Sequence, residues 1–60
     1  MDDALRAYGD GREDAFAGRR NVGAAEDPHT GADYRTGFLD GRIEIFRMLA
    51  EVREILEENG

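Results

Sequence analysis

The chain has 60 residues, with 14 acidic against 8 basic side chains, a net charge of −6, one histidine and no cysteine. That length allows one small domain, which buries only roughly 60% of its unfolded surface. The absence of cysteine excludes a disulfide framework and thiolate metal sites, and the acidity argues against direct binding of nucleic acid or an anionic membrane, both of which select positive surfaces.

No apolar run approaches the ~20 residues of a membrane span. The start, Met1-Asp2-Asp3, is acidic where a signal peptide would be basic. The expectation is a soluble protein of the bacterial cytoplasm. All eight basic residues are arginine, the side chain suited to forked pairing with carboxylates.

In chain order, Asp2 and Asp3 are good helix caps and put negative charge at a helix start. Leu5, Tyr8, Arg12, Ala15, Phe16 and Arg19 then recur at helical spacing, which predicts a first helix over about 3–18. Gly9 and Gly11 each weaken it by ~1 kcal/mol relative to Ala, and Gly18 is its stop. Residues 19–32 hold Asn21, Gly23, Asp27, Pro28 and Gly31, a cluster of turn formers that predicts a long connecting loop. Within it, Asp27 can cap a turn with Pro28 in first position, and Thr30 with Asp33 gives a weaker capping box.

A second, longer helix is expected over about 33–58. Tyr34, Phe38, Gly41, Ile45, Met48, Leu49, Val52 and Leu56 form one apolar stripe about six turns long, and Asn59-Gly60 supplies a stop. The whole reads as all-α: a two-helix hairpin with a long connecting loop and a long C-terminal amphipathic helix, in a single domain over 1–60.

Apolar residues are unevenly shared. Leaving out alanine and Met1, 11 of 15 lie after residue 33, so one short helix cannot cover them. Leu39, Ile43 and Phe46 form a second strip rotated away from the first. Exposed patches of this kind mark interfaces, and these three residues are candidates for self-association.

At 3.6 residues per turn, Asp33, Asp40, Glu44, Glu51 and Glu58 fall within about 20° of one line, with Glu54 beside them. Such a row can serve as an ordinary solvated face. It can also present carboxylates to a basic surface built for nucleic acid, the mutual repulsion of the row being relieved when a cationic partner arrives.

Catalytic chemistry is not visible. Tyr8, Tyr34 and Thr30 lack a neighbouring base, there is no serine, and two helices do not form a cleft for a carboxylate pair. Asp27, His29 and Asp33 are poor metal ligands as a set. The chain is expected to be neither an enzyme nor the holder of a cofactor or metal.

Gly11-Arg12-Glu13-Asp14-Ala15-Phe16-Ala17-Gly18-Arg19, then Asp27-Pro28-His29, then Phe38-Leu39-Asp40-Gly41-Arg42-Ile43-Glu44 resembles ribosome modulation factor. The resemblance covers residues 8–46. His29 stands where that family has tyrosine and Arg42 where it has a tryptophan, and the family's chains are basic. It implies two helices joined by an extended loop, ribosome association with Arg12, Arg19 and Arg42 as RNA contacts, and an origin in a phage or mobile element.

The leading functional expectation is a small acidic interaction module. In its concrete form this is a phage-type inhibitor of the anti-CRISPR kind, whose stripe of Asp33, Asp40, Glu44, Glu51, Glu54 and Glu58 mimics DNA before a basic protein surface such as that of a CRISPR effector complex. The alternatives are a ribosome-associated factor and a homodimerising hairpin joined through Leu39, Ile43 and Phe46.

Overall fold

The computed structural model describes residues 2–59, the side chain of Asn59 aside. It is all-α, with α1 at Asp3–Ala17, α2 at Val22–Glu26 and α3 at Gly31–Asn59. The Asp2 carboxylate accepts from the Ala4 amide at 3.0 Å and caps α1. Gly18, at φ 72°, ends that helix in the left-handed region, where glycine carries no steric penalty. Gly60 of the expected stop lies outside the described residues.

The expected loop contains structure of its own. Asn21 caps the short helix α2 by accepting from the Ala24 amide at 3.0 Å. The Asp27 carboxylate accepts from the amides of His29 and Thr30, at 2.8 and 3.0 Å. These backbone donors hold its pKa below the ordinary aspartate value. Turn formers that read as one loop therefore cap two successive helix starts, and α3 begins two residues earlier than its periodicity suggests.

A hairpin would run its two helices in opposite directions, and here they run in the same direction. Tyr8 meets Asp40 and Arg12 meets Glu44, both pairs 32 residues apart. Farther along, Phe16 lies beside Met48, while at the other end Asp3 and Arg6 lie beside Thr30. Contacts that advance together along both chains define a parallel pair. The segment from Gly18 to Thr30, with α2 inside it, carries the chain back to the start of α1.

The helices approach through glycine. A Cβ at Gly37 would lie 1.9 Å from the Tyr8 carbonyl oxygen, and one at Gly11 would lie 2.1 Å from that of Tyr34. Gly41 rests on Ala15, whose Cβ would be 2.7 Å from an added one. Missing side chains thus bring the two backbones together, a use of glycine distinct from its cost in helix propensity. The buried residues are correspondingly small: Gly11, Ala15, Ala25, Gly31, Gly37 and Gly41, with Tyr34 the one large side chain among them.

Tyr34 ties the three segments. Its hydroxyl donates to Asp14 of α1 at 2.5 Å and accepts from the Asn21 amide at 2.9 Å. Burial, followed by the bond to the Asp14 carboxylate, raises its pKa above the ordinary value. The Arg35 guanidinium adds a second tie to the α2 segment by donating to the Ala25 carbonyl.

Candidate interaction surface of the long helix

α3 spans 29 residues and α1 only 15, so α1 covers about half of it. A helix of that length measures ~43 Å, which accounts for the 48 Å long axis of the molecule. From the level of the end of α1 onward, every residue from Phe46 to Glu58 is exposed. Leu49, Val52, Ile55 and Leu56 are each more than half accessible there.

The six carboxylates of the stripe divide into two groups. Asp40 accepts from the Tyr8 hydroxyl at 2.5 Å, a bond that raises the Tyr8 pKa by favouring the protonated phenol. Glu44 pairs with Arg12, whose Nη2 lies 2.7 Å from Oε2 and donates to Oε1 at 3.0 Å. Asp33 is half-buried, whereas Glu51, Glu54 and Glu58 stand in the open on the projecting half. The row is therefore a seam with α1 over its first turns and a free surface over its last.

Leu39, Ile43 and Phe46 are exposed, at 57, 40 and 59%. α1 packs on the other side of α3 and leaves this strip open.

The arginines singled out as RNA contacts are not equivalent. Arg12 is occupied by Glu44 and also lies over the Phe16 ring, 5.1 Å from its centre. Arg19 is exposed and 3.7 Å from Asp14. Arg42 lies over Phe46 at 5.8 Å and borders a surface groove.

That groove was not legible in the sequence. One part, about 170 Å³, is lined by Arg20, Tyr34, Arg35, Phe38, Leu39 and Arg42. The adjoining part, about 260 Å³, shares Phe38 and Arg42 and reaches Ala15, Ile45 and Phe46. Three arginines surround an apolar floor with no carboxylate in the lining, and Arg20 lies over Phe38 at 6.0 Å. Arg20 arrives from the connecting segment, whose path only the fold reveals. The Tyr8–Asp40 and Arg12–Glu44 pairs did leave a signal, the matched four-residue spacing on each helix.

Carboxylates thus predominate along one flank of α3, with Arg12 and Arg47 beside Glu44, and Arg20, Arg35 and Arg42 gather on the other. Among the described residues, no three histidine or carboxylate side chains converge as a metal site, and no helix is long and apolar enough to cross a membrane. No family model, curated protein or solved structure matches the chain.

Proposed function

We propose that the chain is a small acidic protein-interaction module that works through α3, directing its carboxylate flank at a basic protein surface that otherwise holds nucleic acid. In the concrete form it is a phage-type inhibitor acting as a DNA mimic. The reading rests on the charge segregation. Asp33, Asp40, Glu44, Glu51, Glu54 and Glu58 share a flank that carries two cations, Arg12 from α1 and Arg47 of α3 itself. A rigid helix holds these charges at fixed spacing, so a cationic partner meets an ordered row at little further entropic cost.

The test is capture of partners from a bacterial lysate on the immobilised chain, followed by elution with duplex DNA. Glu51→Gln, Glu54→Gln and Glu58→Gln together remove three exposed charges while leaving the contacts of α1 intact. The expected result is a nucleic-acid-binding protein that duplex DNA displaces and that the triple variant does not retain. Binding should also weaken steeply with salt, since exposed charges are screened beyond about 8–10 Å at physiological ionic strength. Retention by the triple variant with an unchanged salt dependence would refute the mimic.

A second reading, ribosome association, draws on the family resemblance and on the three arginines around Phe38, since guanidinium and aromatic faces together suit unpaired RNA bases. It predicts co-sedimentation with ribosomal subunits that Arg20→Ala with Arg42→Ala abolishes.

A further inference from the structure

The arginines of α3 fall into two classes by their neighbours. Arg47 has Glu44 and Glu51 three and four residues away, and Arg53 has Glu57, with which it pairs at 3.3 Å. Around Arg35 and Arg42 every such position is glycine, alanine, phenylalanine, leucine or isoleucine, so neither has a carboxylate within helical reach. Arg35 gives one donor to the Ala25 carbonyl, and Arg42 lies over Phe46. The fold adds Arg20 from the connecting segment, over Phe38. Asp14, which borders Arg20 on another side, is taken by the Tyr34 hydroxyl and by Arg19. Among the described residues none of these three arginines forms an ion pair, although the chain carries a net charge of −6.

We infer that the groove between them is a docking site for a short acidic segment of a partner protein, one that sets carboxylates against Arg20, Arg35 and Arg42 and lays an apolar side chain on Phe38 and Leu39. Charge complementarity selects the occupant. Three guanidiniums held around one groove repel one another and keep forked donors free, and carboxylates answer both conditions. Arg35 and Arg42 are seven residues apart on one face, ~10 Å along the axis, and Phe38 and Leu39 line the groove between them. An extended peptide covers that distance in about three residues, so one short stretch brings two charges and the apolar side chain between them. The floor is half-buried Phe38 and exposed Leu39, a shallow surface that suits an extended chain more than an enclosed small molecule. Nucleic acid is a poorer occupant, because it carries a charge at every nucleotide and meets the field of 14 acidic side chains. A short segment with few carboxylates senses chiefly the local arginines. The site is separate from the carboxylate flank, and its partner is of opposite charge.

The experiment is selection of displayed random linear peptides on the immobilised full chain, with depletion on the Arg20→Gln/Arg42→Gln variant. The expected result is enrichment of sequences in which aspartate or glutamate flanks leucine or an aromatic residue. A synthetic copy of the strongest binder should perturb the amide resonances of residues 35–46 more than those of 49–58. Arg20→Gln and Arg42→Gln should each weaken it about fivefold. Leu39→Glu, at a side chain 57% exposed, supplies the missing carboxylate within the chain, four residues after Arg35 and three before Arg42. It should abolish peptide binding while helix content holds and Tm rises slightly, which separates loss of the site from loss of the fold. Enrichment of basic or uncharged sequences, or of none that the double variant loses, overturns the proposal. So does an acidic peptide that Leu39→Glu binds as tightly as the natural chain. An oligouridine RNA that binds the groove more tightly than every selected peptide assigns it to nucleic acid and also overturns the proposal. None of these variants alters Glu51, Glu54 or Glu58, so the outcome is read independently of the carboxylate flank.

Discussion

From Gly31 to Met48, α3 is flanked by α1 on one side and, over its first turns, by the α2 segment on another, while beyond Met48 it projects past the end of α1 with every described side chain exposed. Both halves are amphipathic and continuous in backbone, yet they differ in what their small residues do. The held half carries Gly31, Gly37 and Gly41, each buried and each in close contact with another segment. The free half carries no glycine before Gly60 and presents leucine, isoleucine and valine to the surroundings. Close packing without large side chains fixes the first half, and the large side chains of the second stand exposed.

The largest effect in this contrast belongs to the glycine seam. Gly37→Ala drives a methyl group into the Tyr8 carbonyl. Backbone cannot yield as a flexible side chain does, so the cost should be about 3 kcal/mol or more. In so small a domain that is enough to abolish cooperative unfolding, as a thermal melt would register. Leu56→Asp, on the free half, should leave the melt of the monomer almost unchanged. Equal losses from the two substitutions would erase the distinction between the halves.

Tyr34→Phe should come next, at about 1–3 kcal/mol, because it leaves the Asp14 carboxylate and the Asn21 amide without their shared partner. The same hydroxyl gives the fold an alkaline limit. Its pKa is raised in the folded state, so its contribution is fully present below the ordinary tyrosine value near 10 and is lost as pH rises through the higher folded value. Tyr8 acts in the same direction through Asp40. Tyrosinate absorbance should rise together with the loss of helix in an alkaline titration, and Tyr34→Phe should move that transition.

How much of this could be read in advance depended on whether the signal was local. The caps at Asp2 and Asp27, the stop at Gly18 and the long amphipathic run are sequence-local, and they stand in the structure. The parallel course of α1 and α3 is not local, because it depends on where residues 19–30 lead the chain. A hairpin is the natural reading when that segment is taken for a passive loop. Gly11 was weighed by helix propensity alone, although Gly11-xxx-Ala15 on α1 and Gly37-xxx-Gly41 on α3 are matching small-residue spacings. The carboxylate row was legible as a row, but not its division by Tyr8 and Arg12, since both reach it from another helix. Gly9 and Gly11 illustrate the limit: nothing lies within 4 Å of a Cβ added at Gly9. Gly9→Ala should therefore stabilise the fold by about 0.5–1 kcal/mol, while Gly11→Ala disrupts it.

The smallest effect concerns the Arg12–Glu44 ion pair, which joins the two helices on the acidic flank. Arg12 and Glu44 are each more than two-fifths accessible, so solvent screens their attraction and side-chain entropy offsets part of it. A double-mutant cycle with Arg12→Met and Glu44→Gln should give a coupling well below the loss from Tyr34→Phe, and salt should reduce it further. The pair matters more for charge than for stability. Removing Arg12 restores an uncompensated carboxylate to the row, and Glu44→Gln takes away a charge that was already neutralised. If the flank binds a cationic surface, Arg12→Met should tighten capture of the partner and Glu44→Gln should leave it nearly unchanged. The opposite ranking would mean that the partner reads the Arg12–Glu44 pair itself and not the net charge of the flank.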